Sequence, residues 1–369
     1  MNGSNLLREI DHESKIQQVA GAFLGAPVRL LSAVRQGKKT LHQAFSSGIS
    51  NKFFLEAETL ERFVLKEAPH YASSLPFCRA SLQFQQHLSR SGLLIPEYHS
   101  LSDDNTIFHF VLLEDGRHRI FTLQQLADGS EFPSMPIILK GAVDALYSLH
   151  TAALSLPNNN LPHHNVFDCV SDLLTQGRVE LEPKLNSQWL QHKTEVLELI
   201  KAFSWQVNHY KAQAESVGYF EAIQPVHGDF HLNNLLFSSR GAVSAILDFD
   251  DAKNDNPIQD FARLAVSLCI FRFHADPQRP LALLPTSIDL PLLIELLAHA
   301  KGVESDWIPM GPFVPTLKCI ALQMAFIGLL SGMYSTAQLR ALRLFPAMLD
   351  AGCQELDALI TKDQRHGIS

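Results

Sequence analysis

Residues 226–252 read V-H-G-D-F-H-L-N-N-L-L-F-S-S-R-G-A-V-S-A-I-L-D-F-D-D-A, the most informative stretch of the chain. Two short β-rich runs, 235–237 and 243–247, flank a polar five-residue segment with a glycine, which predicts a β-hairpin. In an antiparallel hairpin the residue that enters the first strand lies near the residue that leaves the second. Asn234 and Asp248 should therefore meet at the open end. An amide oxygen and a carboxylate held close together suit Mg²⁺, with water and phosphate oxygens completing its coordination.

Asp229 lies five residues before Asn234 on the same loop, where its carboxylate can take a proton from an attacking hydroxyl. Asp, Asn, Gly and His are common in ordinary loops, so the triplet His-Gly-Asp alone would indicate little. The longer series joins an Asp, an Asn five positions later, an apolar run, a hairpin and an Asp at a strand end. That series predicts the arrangement used for phosphoryl transfer.

The segments H-G-D-F-H-L-N-N and I-L-D-F-D-D-A resemble the aminoglycoside phosphotransferase and choline kinase-like family, whose members are relatives of the protein kinases. The resemblance covers most of the chain in outline and is specific over residues 226–263. It implies that Asp229 is the catalytic base and that Asn234 and Asp248 are the metal ligands. It also implies that His227 braces the loop.

Other residues of this region extend the comparison. The resemblance implies that Asp260 accepts hydrogen bonds from the backbone of the catalytic loop. The family usually has Pro-Gly where this chain has Leu232-Asn233, which alters the loop but spares the chemical positions. Asp250 and Asp251 could contact a second Mg²⁺ or a cationic substrate, or be solvated, and solvation is favoured.

A second candidate site lies upstream, in the stretch F-V-L-K that ends at Lys66. Strand alternation puts Val64 and Lys66 on one face, where a small apolar side chain can contact a nucleotide base and a cation its α- and β-phosphates. The stretch is similar to the V-A-I-K strand of kinases. The Ser-rich turn before it, with Gly48 and Ser50, could lay backbone N–H groups against phosphates, although an ordinary hairpin turn explains it equally well.

The partner of Lys66 departs from the kinase pattern, in which a helix Glu holds this Lys. The predicted helix over residues 79–91 contains no acidic residue. Lys66 is therefore expected to have a neutral partner on that helix (Ser81, Gln83 or Gln85), or to be oriented by Glu67 or Glu97, or to contact phosphate more loosely.

Composition narrows the class of protein. A chain of 369 residues is longer than one compact unit usually needs, which predicts two lobes or domains. Its residues are 46% hydrophobic and 18% charged, which is typical of a well-packed protein. A net charge of −8 argues against a general nucleic-acid binder and does not favour anionic membranes. Five scattered cysteines without C-x-x-C spacing are expected to be reduced. The polar N-terminus has no apolar signal core. The uncharged run 319–333 is shorter than the roughly twenty residues that a membrane-spanning helix needs. We therefore expect a cytoplasmic protein without a membrane partner.

The predicted fold is α+β and two-lobed, like that of protein kinases. A small β-rich N-lobe of residues 1–123 binds nucleotide, and a large, mainly helical C-lobe of residues 124–369 carries catalysis and substrate binding. In the resembled fold, the adenine ring hydrogen-bonds to backbone groups near Leu123, Gln124 and Leu126. On the helix predicted over 137–154, His150 is expected to be a packing residue.

The predicted activity is ATP- and Mg²⁺-dependent transfer of the γ-phosphate to a hydroxyl of a small molecule. Asp250, Asp251 and Asp255, with the net charge, mildly favour a cationic acceptor such as an aminoglycoside, a choline-like alcohol or an amino alcohol. Homoserine-like, sugar and protein hydroxyls stay open, the last as a protein Ser/Thr kinase of the same fold. The non-enzymatic alternative is a kinase-like scaffold that binds nucleotide without transfer.

Overall fold

The computed structural model describes residues 16–34, 52–68, 75–100, 109–112, 118–129, 137–157, 159–184, 192–272, 284–303, 307–330, 334 and 336–366. The predicted phosphate-binding turn with Gly48 and Ser50 lies outside these residues, as does the stretch 41–45, whose β-like sequence predicts a strand.

The N-terminal part is built on an antiparallel sheet. Its strands are β1 (Val28–Val34), β2 (Lys52–Ala57), β3 (Arg62–Glu67), β4 (Tyr98–His99), β5 (His109–Leu112) and β6 (His118–Gln125). Their order in the sheet is β1-β2-β3-β6-β4, and β5 also pairs with β6. Strand β3 therefore lies inside the sheet, with Lys66 opposite Lys52 on β2 and Thr122 on β6.

A helix of residues 16–24, α1, covers one face of this sheet. Its buried side chains, Ile16, Val19, Ala20 and Phe23, recur at helical spacing. They pack against alternate side chains of the strands, namely Phe53, Leu55, Phe63, Leu65, Phe121 and Leu123. Period-2 alternation in the strands and period-3.6 spacing in the helix thus build this smaller core.

Helix α2 (Leu75–Arg90) follows the first three strands but packs with the C-terminal part. Its Ala80, Phe84 and Leu88 are buried in the larger hydrophobic core, whose other buried members are Ile95 and C-terminal residues. The ring of Phe84 meets that of Phe249 edge-on, with 5.8 Å between centroids. Helix α2 therefore ties the sheet to the predicted metal-binding segment.

The C-terminal part is mainly helical. Its helices are α3 (Ile137–Leu154), α4 (Val166–Lys184), α5 (Lys193–Ser216), α6 (Ile258–Ala265), α7 (Leu290–Val303), α8 (Phe313–Leu330), α9 (Thr336–Leu342) and α10 (Phe345–His366). Helix α6 continues into a π-turn, Val266–Ile270. The apolar spacing in the sequence predicts one helix over 337–360, where the structure has α9 and α10, and it does not predict α4. Within the described residues, no helix is long and apolar enough to cross a membrane.

Two nested strand pairs hold the signature stretch. Strand β7 (Gln224–Val226) pairs with β10 (Lys253–Asp255), and inside this pair β8 (Leu235–Phe237) pairs with β9 (Val243–Ile246). The predicted hairpin is therefore confirmed, whereas β7 and β10 are absent from the prediction. The outer pair brings residues 227–234 and 247–252 to the same end of the inner hairpin, so loops far apart in sequence become neighbours.

Candidate active site

Asn234 and Asp248 meet at the open end of the hairpin. The N–H of Leu247 donates to the carbonyl of Asn234 at 2.8 Å, one step beyond the pairing of Leu235 with Ile246. Asp248 comes next, with a φ of 64°, a left-handed conformation that costs a non-glycine residue free energy. Surrounding contacts must hold the backbone in this conformation, which turns the chain out of β9.

The carboxylate of Asp229 is held at both oxygens. The guanidinium of Arg263 lies 3.0 Å from Oδ1 and His231 Nε2 lies 3.2 Å from Oδ2. The amide nitrogen of Asn234 donates to the carbonyl of Asp229 at 2.9 Å and reaches Oδ2 at 3.3 Å. Burial alone would raise the pKa of Asp229, but His231 and Arg263 hold that pKa well below its usual range. Asp229 is therefore ionised at neutral pH, as a proton acceptor must be.

Asp260 supports the loop from beneath. Its carboxylate is fully buried and accepts from the backbone N–H of His227 at 2.8 Å and of Gly228 at 2.9 Å. His150 Nε2 lies 3.1 Å from the same carboxylate, and Gln259 links it to the carbonyl of Gly228. His150 is thus a buried part of this network and not only a packing residue. Burial would raise the pKa of Asp260, but these hydrogen bonds and neighbouring histidines lower it.

His227 joins the loop that carries Asp229 to the segment that follows β9. The N–H of Asp229 approaches its Nδ1 at 3.2 Å, so Nδ1 acts as acceptor and Nε2 carries the proton donated to the carbonyl of Leu247 at 2.8 Å. Burial lowers the pKa of His227 despite the nearby Asp260, which favours this neutral form. Between the two loops, Gly228 has a φ of 84°, and a Cβ there would lie 1.9 Å from the carbonyl oxygen of Asp251.

Lys66 reaches the site from β3 and pairs with two carboxylates. Its Nζ lies 2.6 Å from Asp248 Oδ1 and 2.7 Å from Asp250 Oδ1, and Lys52 Nζ lies 2.9 Å from Asp248 Oδ2. Burial alone would lower the pKa of Lys66, but Asp248 and Asp250 raise it. Burial would raise the pKa of Asp248, but Lys66 and Lys52 hold it well below its usual range. The acidic partners of Lys66 thus lie on the segment that follows β9.

Asp250 and Asp255 differ from their expected surroundings. Burial, reinforced by Asp248 and opposed by Lys66, raises the pKa of Asp250 to about 7. The expectation of a solvated Asp250 is wrong, because its carboxylate pairs with Lys66, whereas Asp251 is exposed. The sequence also suggests that Asp255 stands in the cleft where it could favour a cationic acceptor, and this expectation is wrong. Asp255 is fully buried and accepts from the hydroxyl of Tyr219 at 2.7 Å.

The residues predicted to bind adenine lie at the end of β6. Leu123 and Gln124 pair with β3 on one side and with β4 on the other, because β6 is an interior strand. The N–H of Leu126 already donates to the carbonyl of Arg62 at 2.9 Å. Nucleotide contact through these three residues stays a prediction, and at Leu126 it would have to use a group other than this N–H.

Three contact residues were absent from the sequence prediction: Lys52, His231 and Arg263. Lys52 could have been found from the sheet register, since it lies opposite Lys66 on the neighbouring strand. Arg263 stands one helical turn after Asp260, and a second nitrogen of its guanidinium donates to Gln323 on α8 at 2.7 Å. That pairing of α6 with α8 has no local sequence signal.

The donor set fits a divalent cation that is shared with phosphate. Asn234 uses its nitrogen to donate to Asp229, which leaves its amide oxygen as the acceptor, and Asp248 supplies a carboxylate. These are the hard oxygen donors that Mg²⁺ prefers. The described residues include no group of three or more His, Cys, Asp or Glu side chains that could hold a metal by themselves. A cation here would therefore need oxygens from its ligand, as Mg²⁺ on a nucleotide does.

Known proteins share this fold. Amicoumacin kinase hAmiN, solved with AMP-PNP, Ca²⁺ and Ami, aligns over 93% of this chain and 96% of its own with 13% identity and a TM-score of 0.59. A microcompartment-associated aminopropanol kinase aligns over 95% and 98% with 16% identity and a TM-score of 0.60. An aminoglycoside phosphotransferase from Alicyclobacillus acidocaldarius aligns over 90% and 99% with 16% identity and a TM-score of 0.51. The predicted two-lobed, kinase-like α+β fold is confirmed.

No curated protein sequence matches the chain. The sequence profile of the phosphotransferase enzyme family (APH) matches residues 42–282, well over half of the chain and including the signature stretch. The chain belongs to the phosphotransferase enzyme family.

Proposed function

We propose that the protein transfers the γ-phosphate of ATP to a hydroxyl of a small molecule, with Mg²⁺ as cofactor. The observation that carries this proposal is the convergence of Asp229, Asn234, Asp248 and Lys66 at one end of the inner hairpin. Membership of the phosphotransferase enzyme family supports it, as does one protein of the same fold, solved with an ATP analogue and a divalent cation.

Each side chain has a role that follows from its surroundings. Asp229 is ionised, so it can orient the acceptor hydroxyl and take its proton as the phosphate transfers. Arg263 and His231 fix the direction of that carboxylate. Asn234 and Asp248 would hold Mg²⁺, which would supply positive charge against the negative charge of the transferring phosphate. Lys66 supplies a fixed positive charge for the nucleotide phosphates, and positioning accounts for most of the acceleration.

The division of labour follows the two-lobed fold. We propose that residues 1–123 bind the nucleotide and that residues 124–369 supply catalysis and the acceptor site. The acidic side chains give a cationic acceptor less support than the sequence alone suggested. Asp250 and Asp255 are engaged with Lys66 and Tyr219, so of the three acids taken to favour a cationic acceptor only Asp251 is exposed. Amino alcohols and aminoglycosides are retained as candidates because relatives of this fold act on such compounds.

The test is ATP turnover with Mg²⁺ against aminoglycosides, choline, amino alcohols, homoserine and sugars. Turnover with one acceptor class should fall at least about a hundredfold in Asp229→Ala, the span that a general base contributes, while AMP-PNP affinity is largely kept. Asp144→Asn is the matched control, since it removes an exposed acid that pairs with Lys140 on α3. Near-normal turnover in Asp229→Ala contradicts the assignment.

The scaffold alternative makes a different prediction. A scaffold would bind AMP-PNP but transfer no phosphate to any acceptor or to water. Retention of the base, both metal ligands and the lysine argues for the enzyme, because a protein that only binds nucleotide has no need of Asp229.

A further inference from the structure

Lys66 borders a small polar cavity beside α2. The cavity measures about 40 Å³, and its polar lining includes Lys66, Ser81, Gln85, Tyr98 and Asp250. A space of this size admits one or a few water molecules but no larger ligand. The polar groups of its lining are therefore the candidates for fixing the direction in which the Lys66 ammonium points.

Helix α2 offers no charged acceptor. None of its residues is acidic. Its one long acceptor in the cavity, Gln85 Oε1, already accepts from the hydroxyl of Tyr98 at 2.8 Å, and Gln85 Nε2 lies 3.3 Å from Ser81 Oγ. The neutral groups of the helix thus satisfy one another, and none of them forms a hydrogen bond with Lys66 within the described part of the chain.

Neighbouring glutamates do not fill the gap. Glu67 follows Lys66 on β3, so its side chain points to the opposite face of the sheet. Glu97 is exposed. The ion pairs that Lys66 makes within the described residues are with Asp248 and Asp250.

Helix α2 instead fixes the segment that carries these acids. The hydroxyl of Ser81 donates to the carbonyl of Phe249 at 2.9 Å, and Phe84 packs against the ring of Phe249. Asp248 is shared with Lys52 and is the residue assigned above to Mg²⁺. Asp250 lies on the other side of Phe249, and its Nζ–Oδ1 contact with Lys66 is 2.7 Å.

We propose that Asp250 is the positioning residue for Lys66, taking the place of the helix carboxylate that protein kinases use. The carboxylate that pairs with the lysine lies on the segment after β9 instead of on α2. Helix α2 holds that segment in place through its contacts with Phe249. This inference rests on the proposed function, because it assigns Lys66 to the nucleotide phosphates. It also separates Asp250, which acts through Lys66, from Asp248, which acts on the metal.

A double-mutant cycle in nucleotide affinity tests the proposal. AMP-PNP binding is measured by calorimetry for the wild type, Asp250→Asn, Lys66→Met and the double variant, once in EDTA and once with Mg²⁺. We expect Asp250→Asn to weaken binding at least about fivefold when Lys66 is present and to cause no loss in Lys66→Met, within the range of contacting pairs. EDTA removes any contribution from a metal, so an effect there passes through Lys66.

A rescue variant adds a readout that a merely structural role would not change. Gln85→Glu places a carboxylate on α2 in the same cavity, so Asp250→Asn/Gln85→Glu should regain most of the lost affinity. Thermal unfolding of each variant checks folding, with Asp250→Ala made in parallel and Asp144→Asn as the charge control.

The outcomes distinguish the positioning role of Asp250 from the proposed function. Equal losses in both backgrounds, no loss at all, or a rescue variant no better than Asp250→Asn overturns the positioning role. A wild type that binds AMP-PNP in neither buffer overturns the proposed function instead.

Discussion

Gly228 fixes how closely the two loops of the site can approach. Its φ is positive, and a Cβ would lie 1.9 Å from the carbonyl oxygen of Asp251, which is backbone and cannot swing aside. We therefore expect Gly228→Ala to push the loops apart and lower phosphate transfer at least about a hundredfold, since a misplacement of about 1 Å costs that much.

Gly92→Ala is the matched control for that prediction. Gly92 has a φ of 90°, but nothing lies within 4 Å of the added Cβ. Both variants carry the same kind of backbone strain, so turnover at saturating ATP should fall only in Gly228→Ala. Equal turnover in the two variants would show that the contact with Asp251 does not position the loop.

Arg263 offers a second test at this scale. Two nitrogens of its guanidinium contact Asp229 and Gln323 at once. A lysine keeps the charge but presents a single ammonium and cannot span both groups. Arg263→Lys should lower kcat by about tenfold with the KM for ATP little changed, as measured by steady-state kinetics, because the direction of the Asp229 carboxylate is lost. Unchanged kcat would mean that His231 alone orients the base.

Among the elements, the hairpin was readable from local sequence and the strand pair around it was not. Residues 235–237 and 243–246 are short, mostly apolar and separated by a turn, so their pairing is a local event. Strands β7 and β10 consist of Gln-Pro-Val and Lys-Asn-Asp and show no period. Their pairing depends on tertiary contacts, which a sequence window does not contain.

Helices show the same limit. Helix α4 buries Val166, Val170 and Leu174 at intervals of four, but Gly177 and Pro183 within its range hide the pattern. The break before α10 had a usable signal in Pro346, which stands in the first turn of that helix. The partners of Lys66 could not be read from the sequence, because Asp248 and Asp250 are 182 and more residues away.

The network under the catalytic loop predicts a dependence of stability on pH. Burial lowers the pKa of His227 in the folded protein, whereas in the unfolded chain that pKa is about 6.5. The unfolded state therefore binds a proton that the folded state resists, so this stabilisation is present above about pH 6.5 and is lost as the pH falls below it. Thermal unfolding between pH 5 and 8 should show a smaller loss on acidification in His227→Gln than in the wild type. An identical pH slope would assign the titration to other histidines.

Asp260→Ala should be more damaging than any change at the surface. It leaves the N–H groups of His227 and Gly228 buried without an acceptor, and each such group costs about 1–3 kcal/mol. We expect the free energy of unfolding to fall by at least about 2 kcal/mol, measured in urea. Asp168→Asn provides a control, since that part-exposed acid pairs with Lys211 between α4 and α5. A loss no larger than in the control would mean that water replaces the carboxylate.

For the whole molecule, the sheet and the helical part are joined by charge at the site as well as by the packing of α2. Lys52 and Lys66 belong to two strands of the sheet, and both contact Asp248. A nucleotide with Mg²⁺ bound at this junction would stabilise both parts together, by about 2.7 kcal/mol at a ligand concentration of 100 Kd.

That linkage can be measured as a shift in unfolding temperature. AMP-PNP with Mg²⁺ should raise the temperature of the whole transition in the wild type, and adenosine should not. Asp248→Ala should abolish the shift because the proposed metal ligand is removed. A shift of equal size in Asp248→Ala would place the nucleotide elsewhere.

Helix α3 makes contact with the site at two distant points. A Cβ at Gly141 would lie 2.1 Å from the carbonyl of Gly241 in the hairpin turn, and His150, nine residues later, holds Asp260. Nine residues of α-helix correspond to about 13 Å and two and a half turns, so the two contacts lie on opposite faces. Helix α3 thus sets the distance between the turn of the inner hairpin and Asp260, which lies beneath the loop that carries Asp229. Inserting or deleting a single residue between Gly141 and His150 would rotate one contact by about 100° relative to the other. The helix could then no longer make both contacts, so the length of this part of the chain is fixed.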